Sequence, residues 1–144
     1  ELLLGGSHNI SAAADSDTDS AAGDALGVFY VGAAWDGDTY GLGDIVALTG
    51  TFGSTDAVET ALEVGGSHAT TLNGTVADNQ GFLTLYDDGA NTYLAFAQNN
   101  QTTSRTDGQT FTAGDLRVTN ILEFTGMTDV SGFSTTDNLN FDFI

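Results

Sequence analysis

The chain has no cysteine, no proline and no lysine, and each absence narrows what it can be. Without cysteine there is no disulfide, no thiolate zinc site and no cysteine nucleophile. Without proline, tight turns depend on Gly, Asn and Asp for their backbone angles, and 19 glycines are present. No apolar run approaches the ~20 residues that a bilayer-spanning helix needs, so the sequence predicts no membrane insertion.

Basic residues are nearly absent as well. Arg105 and Arg117 face 20 acidic residues, which gives a formal net charge of −18. A surface this acidic repels nucleic acid, so nucleic acid is excluded as a partner. The repulsion within the chain can be neutralised by Ca²⁺, which prefers carboxylate and carbonyl oxygens, or screened by high salt. Alternatively, the acids form a solvated, solubilising surface.

What the chain does contain is typical of strands and turns. Hydrophobic residues make up 40% of it, in short runs separated by Gly, Thr, Asn and Asp. This pattern predicts an all-β fold, an antiparallel β-sandwich or a jelly-roll-like arrangement, with at most one short helix. The strands are predicted where β-branched and aromatic residues cluster: 28–31, 45–49, 82–86, 92–97 and 116–124.

Two Asp-Gly pairs and one helical segment complete the local prediction. Asp36-Gly37 and Asp88-Gly89 lie between apolar runs and predict two hairpin turns. The spacing of apolar residues predicts a helix over 55–64, with Thr55 or Asp56 as N-cap and Gly65 as C-cap.

The sequence also repeats itself. Gly-Gly-Ser-His occurs at 5–8 and again at 65–68, and three later landmarks recur in the same order. This self-similarity predicts two diverged units, 1–54 and 55–144, which are either separate or merged into one domain. The second unit carries a longer insert, 98–108.

Catalysis has little support in the sequence. His8 and His68 are the two histidines, and neither lies in a metalloprotease or serine-hydrolase motif. Ser67 precedes His68, but adjacent side chains on a strand point to opposite faces, which argues against a Ser–His dyad. The sequence therefore predicts no catalytic residues and no enzyme.

Metal binding is better motivated. Asp15, Asp17 and Asp19 alternate along the chain, as in the start of an oxygen-ligand calcium loop, and Asp36 and Asp38 form a second candidate. The glycine and distal glutamate of an EF-hand are missing. A solvated loop at 15–19 and plain turn chemistry at 36–38 remain open as alternatives.

Trp35 is the single tryptophan and lies beside a carboxylate. An exposed Trp in this setting is typical of a sugar-binding surface, whereas a Trp beside a hairpin turn also fits a hydrophobic core. The first interpretation would make surface glycans a partner.

Four segments carry a family resemblance: 88–94, 111–116, 122–126 and the end Asn140-Phe141-Asp142-Phe143-Ile144. They resemble the C-terminal regions of bacterial type I-secreted surface proteins, including RTX-type adhesins and S-layer-like proteins. The resemblance implies an uncleaved C-terminal export signal, a calcium-rich extracellular or cell-surface location and a β-rich fold. The glycine-rich calcium nonapeptide of that family is missing, so no calcium ligand transfers.

Both ends of the chain have the character of strands. An unpaired apolar strand invites pairing with another chain, and head-to-tail pairing is open-ended. The sequence thus predicts an extracellular, self-assembling structural subunit of a filament, sheath or S-layer-like lattice, that is, a homo-oligomer or polymer. The alternative is a calcium-dependent adhesin or carbohydrate-binding module at the end of a larger secreted protein. The predicted assembly residues are Leu2, Leu3, Leu4, Leu139, Phe141, Phe143 and Ile144.

Overall fold

A computed structural model describes residues 28–36, 45–72 and 74–132. Strands are the commonest element among these residues, beside one α-helix and one 3₁₀ turn. In chain order the elements are β1 (Val28–Val31), β2 (Trp35–Asp36), β3 (Ile45–Thr51), α1 (Thr55–Leu62), β4 (Thr70–Thr71), β5 (Gly81–Asp87), β6 (Asn91–Asn99), β7 (Leu116–Thr125) and the 3₁₀ turn Val130–Gly132.

Five strands form one mixed sheet in the order β1-β3-β5-β6-β7. The β1–β3 and β3–β5 pairs are parallel, and the β5–β6 and β6–β7 pairs are antiparallel. β2 and β4 form a separate two-stranded parallel ladder. The predicted all-β class with one short helix is confirmed, but the sheet is mixed rather than wholly antiparallel.

The parallel half of the sheet explains this difference. Ile45, Val46, Ala47 and Leu48 are all fully buried, so this strand is covered on both faces. Strands of that kind carry continuous apolar runs and are typical of parallel pairing. Within the described ranges, one face of the sheet is covered by α1 and its neighbouring loops, and a sandwich of two large sheets is not seen.

The two predicted hairpins have different outcomes. Asp88 stands in the β5–β6 turn as expected: its Oδ1 accepts from the nitrogens of Ala90 at 2.8 Å and Asn91 at 2.7 Å, and Gly89 has φ 88°. The hairpin predicted around Asp36-Gly37 has its return strand at 39–40, outside the described residues, and stays a prediction. Asp36 pairs with β4.

Helix α1 forms where the periodicity predicted it, but its cap is one residue earlier. Ser54 is the N-cap, and its Oγ accepts from Ala57 N at 3.2 Å. The predicted apolar stripe is confirmed, since Val58, Ala61 and Leu62 are buried against the sheet. The larger hydrophobic cluster on this face also includes Val46, Leu48, Phe82, Tyr86, Ala95, Ala97, Phe111 and Val118.

A smaller cluster covers the opposite face. Ile45, Ala47, Leu85 and Leu94 line it, and Val130 of the 3₁₀ turn packs on them. The turn contacts β3 and β5, so the chain crosses this face after it leaves β7. No helix in the described part of the chain is long and apolar enough to cross a membrane.

The sheet contains strands from both predicted repeat units. β1 and β3 belong to 1–54, the other three strands belong to 55–144, and β3 lies hydrogen-bonded between β1 and β5. The division into two units by duplication stays a prediction, but in the structure the two stretches share one sheet.

Candidate functional site at the edge strand β7

Most of the sequence-predicted site residues lie outside the described residues. Of the predicted metal ligands, only Asp36 is described, and there only as a backbone position in β2. In the described ranges, no group of three or more His, Asp and Glu side chains lies close enough to hold a metal ion. The calcium site and the assembly strands therefore stay predictions. The predicted residues outside the described ranges are Asp15, Asp17, Asp19, Asp38, Leu2, Leu3, Leu4, Leu139, Phe141, Phe143 and Ile144.

Trp35 is part of the hydrophobic core. It is 6% exposed, and its ring meets Phe82 edge to face at a centroid distance of 5.9 Å. A sugar stacks on an open aromatic face, which a Trp buried to this degree does not offer. The core interpretation fits the structure, and the ligand-binding role predicted for Trp35 does not.

Ser67 and His68 contact each other, contrary to the sequence argument. Ser67 Oγ lies 2.8 Å from His68 Nδ1. The argument failed because the pair is in a turn, where strand alternation does not apply. Gly65, with φ 81°, and Gly66 make this turn possible; a Cβ on Gly66 would lie 2.2 Å from the carbonyl oxygen of Thr60.

His68 is 4% exposed and packs edge to face on Phe52 at 5.3 Å. Burial lowers the pKa of His68, and the nearby carbonyls of Thr49 and Val31 oppose that effect in part. His68 N also donates to Ala61 O at 2.8 Å, which ties the turn to the end of α1. The ring thus stands at the junction of helix and sheet, and the Ser67 contact is local.

The outer edge of β7 is the most distinctive feature of the described surface. Within the described ranges, β7 pairs only with β6 and so forms one edge of the sheet. Two carboxylates cover its first half, one from Glu59 of α1 and one from Glu63, the residue that caps the end of this helix. Glu63 Oε1 accepts from Gly114 N at 2.8 Å and Leu116 N at 3.1 Å, and Glu59 Oε1 accepts from Val118 N at 2.7 Å.

These three bonds take up outward-facing N–H groups that an edge strand would otherwise present to another chain. Glu59 and Glu63 are four residues apart, so they lie on one side of the helix. Glu63 is 7% exposed and, since its carboxylate is paired with main-chain donors, the burial is chemically satisfied. The first half of β7 is therefore closed to strand addition.

The second half of β7 lies beyond the helix. Asn120, Leu122, Glu123 and Thr125 are exposed there, and Leu122 is one of the two exposed large hydrophobic residues in the described ranges, at 37%. The pairing with β6 shifts by one residue between Leu94 and Ala95. From Leu116 to Asn120, the N–H groups that point away from β6 belong to even-numbered residues. After the shift they belong to odd-numbered residues, including Glu123 and Thr125.

The insert that the sequence identified positions the start of β7. Arg105 Nη2 lies 2.6 Å from Asp115 Oδ2 and donates to Thr112 Oγ1 at 2.9 Å. Burial alone would raise the pKa of Asp115, but the bonds from Arg105 and from the Thr112 amide and hydroxyl hold it below the ordinary value. Asn99, fully buried, donates from Nδ2 to the carbonyl of Val76 at 3.1 Å and so anchors the other end of the insert.

The carboxylates that cover the edge were missed at the sequence level. The spacing of Glu59 and Glu63 did carry a signal. Two like charges four residues apart repel each other, so the pair indicates that hydrogen-bond donors lie opposite them. The sequence does not identify these donors, because they are main-chain nitrogens more than 50 residues away.

We compared the chain with models of protein families, with curated proteins and with solved structures, and it matches none of them.

Proposed function

We propose that this chain is an extracellular structural subunit that assembles head to tail by β-strand addition. The observation that carries the proposal is the edge of β7, which is closed over its first half by Glu59 and Glu63 and exposed over its second half. A strand edge presents main-chain donors and acceptors, and an added strand satisfies them with affinity from the main chain and specificity from alternate side chains.

The composition supports the same proposal. The termini carry apolar segments, Leu2–Leu4 and Leu139–Ile144, that are suited to complete a sheet in a neighbouring subunit. A donor at one place on the subunit and an acceptor at another make a heterologous contact, which extends without closing and gives a filament, sheath or lattice. The resemblance to type I-secreted surface proteins supports export and a cell-surface location.

Calcium belongs to this proposal as the counter-ion. Subunits with a net charge of −18 repel each other, and the repulsion must be reduced before they can touch. Ca²⁺ bound by clustered carboxylates such as Asp15, Asp17 and Asp19 would reduce it at the low free concentrations where monovalent salt does little.

The test is the state of assembly of the full chain and three variants at matched concentration in a calcium-containing buffer of physiological ionic strength. We expect fibres or lattice in electron micrographs of the full chain, and monomers from variants that lack residues 1–6 or 139–144. A length-matched control replaces Phe141 and Phe143 with Ser, which keeps the chain length and removes the apolar row. Polymers that persist unchanged in both truncations, or a full chain that stays monomeric with and without calcium, would overturn the proposal.

A further inference from the structure

We infer that Asn100 is the attachment site of an N-linked glycan, transferred to the chain from an activated sugar. The inference rests on the extracellular location in the proposed function and goes beyond the assembly itself. Asn100-Gln101-Thr102 has the form Asn-x-Ser/Thr with x other than proline, which is the acceptor motif for N-glycosylation in exported proteins. Because so short a motif also occurs by chance, the placement of its three side chains decides the assignment.

The neighbouring asparagines at 99 and 100 have opposite environments. Asn99 is fully buried, and its Nδ2 donates to three main-chain carbonyls at distances of 3.1 to 3.3 Å. Asn100 is exposed, and its side chain makes no hydrogen bond within the described part of the chain. The amide nitrogen of Asn100 is therefore free to take a sugar, whereas that of Asn99 is not.

A comparison of the five described asparagines separates Asn100 from the rest. The other four use their side chains in hydrogen bonds, and none of the four is followed by Ser or Thr at the second position. They are Asn79, Asn91, Asn99 and Asn120. Among the described residues, the asparagine without a structural role is thus the one that begins the glycosylation motif.

The other two residues of the motif are placed to match. The hydroxyl at the third position is part of what a transferase recognises, and Thr102 is exposed with its hydroxyl unbonded within the described ranges. Gln101 is instead bonded to the protein, since its Nε2 donates to Gly114 O at 2.8 Å. The segment follows the end of β6 at Asn99 and lies in a surface loop, where a transferase can reach it.

The surroundings of Asn100 suit a glycan. Its main-chain N donates to Asp115 O at 2.7 Å, which places it beside the start of β7. Thr102, Thr103 and Ser104 are all exposed, so a polar glycan there covers polar surface. β6 is 9 residues long, and its two ends are roughly 26 Å apart. The glycan is therefore attached at the opposite end of β6 from the second half of β7, and glycosylation does not compete with the proposed assembly.

The reaction is a glycosyl transfer. The donor is a sugar activated by a phosphate ester at its anomeric carbon and carried on a lipid or on a nucleotide. The side-chain amide nitrogen of Asn100 bonds to the anomeric carbon and gives up one proton to a base of the transferase. The bond from that carbon to the phosphate oxygen breaks, and the phosphate leaves with the electron pair. A lipid carrier delivers an oligosaccharide as one block, whereas a nucleotide carrier delivers a single sugar.

The test is the mass of the chain collected outside the cells that naturally make it. Cleavage before aspartate gives a peptide, 88–106, in which Asn100 is the one asparagine that begins the motif. We expect this peptide to carry a sugar, and fragmentation to place it on Asn100; the added mass distinguishes a single sugar from an oligosaccharide. Tripeptides of the same form begin at Asn9 and Asn73, which lie outside the described residues, and aspartate cleavage puts them on separate peptides.

Matched variants made in the same cells assign the modification to the motif. Asn100→Gln and Thr102→Ala should both lose the added mass on peptide 88–106. Thr103→Ala is the control, because it removes a neighbouring exposed threonine and leaves the motif intact. The side chains of Asn100 and Thr102 are exposed and unbonded within the described ranges, so neither variant should change the circular dichroism spectrum.

The outcomes separate this inference from the proposed function. An unmodified 88–106 peptide in chain that forms polymers outside the cells would overturn the glycan assignment and leave assembly standing. An added mass that Thr102→Ala retains in full would show a modification independent of the motif, and would overturn the assignment as well. A glycosylated chain that stays monomeric would support the assignment and overturn the assembly. An unmodified chain found only inside the cells would overturn both.

Discussion

The side chain of Glu63 is bonded to the main chain of Leu116, with Glu63 Oε1 3.1 Å from Leu116 N and 2.8 Å from Gly114 N. The bond joins the end of α1 to the first residue of β7. A carboxylate that accepts two main-chain hydrogen bonds in a buried position acts as a clamp between the helix and the sheet edge.

The first prediction removes this clamp. Glu63→Ala leaves two main-chain N–H groups without partners in a buried position, and we expect the free energy of unfolding to fall by about 2 to 4 kcal/mol. Glu63→Gln keeps an acceptor oxygen and should lose less than half as much. Urea denaturation followed by circular dichroism measures both, and equal losses in the two variants would contradict the clamp.

Trp35 gives a second prediction, for which stability and glycan binding are separate readouts. Because the ring is buried against Phe82, Trp35→Ala should lower the free energy of unfolding by about 3 to 5 kcal/mol. Trp35→Phe, which keeps a ring in the site, should cost less. A glycan array probed with the folded Trp35→Phe protein should give the same result as the wild type; selective loss of a sugar signal would restore the ligand-binding role.

The third prediction concerns pH and His68. Its pKa in the folded chain is below the ordinary 6.5, chiefly because of burial, so the unfolded chain binds the proton more readily. The contribution of neutral His68 to stability is complete above about pH 6.5 and is lost as pH falls toward the lower folded value.

Denaturation curves between pH 7.5 and 5, a range of about 2.5 units centred near the ordinary pKa of histidine, test this prediction. The decline in stability over this range should disappear in His68→Gln and persist in His8→Gln, which removes the other histidine of the chain. The reverse pattern would assign the effect to His8.

Arg105 and Asp115 carry a fourth prediction. Asp115→Asn weakens a buried, charge-assisted contact that holds the start of β7, and the free energy of unfolding should fall by about 1 to 3 kcal/mol. Since the pKa of Asp115 lies below the ordinary 3.8, the stabilisation is present above about pH 4 and lost as pH falls further. Hydrogen exchange should accelerate at residues 99–115 in this variant, and unchanged exchange there would contradict it.

The fifth prediction is removal of metal. If Ca²⁺ neutralises the acidic clusters, EDTA at low salt should lower the melting temperature and dissolve assemblies, and Ca²⁺ should restore both. Monovalent salt, which shortens the Debye length to about 8 Å at 0.15 M, should replace calcium only in part. A melting temperature that EDTA leaves unchanged at low salt would exclude structural calcium.

The sequence predicted the positions of the strands better than their partners. The five runs that form the large sheet were located within a few residues, because β-branched and aromatic clusters bounded by turn residues are a local signal. Pairing is not local. The continuous apolar run Ile45–Leu48 was itself a sign of a strand buried on both faces and so of parallel pairing, and the prediction of an antiparallel sandwich or jelly roll did not use it.

The candidate site was less accessible from sequence. Among the described residues β7 is the last strand of the sheet and α1 covers only half of its edge, and both facts depend on tertiary contacts. The terminal assembly segments, by contrast, were proposed from the sequence alone, from the apolar run at 2–4 and the alternation over 139–144. The Ser67–His68 contact was missed because the segment forms a turn rather than the strand that was assumed.

The mixed pairing of the sheet also has a consequence for how the chain acquires its structure. A short turn joins β5 to β6, and a hairpin of this kind forms on the order of 1 to 10 μs; β7 follows after the insert and pairs with β6. β3 reaches β5 only across a long separation; Thr84 and the Val46 carbonyl that it bonds are 38 residues apart. We therefore expect β5, β6 and β7 to form the folding nucleus and β3 and β1 to dock later, since closing the longer loop costs more entropy. Until β3 docks, the nascent meander has a second unpaired border along β5, so newly made chains face their greatest risk of mispairing before folding is complete.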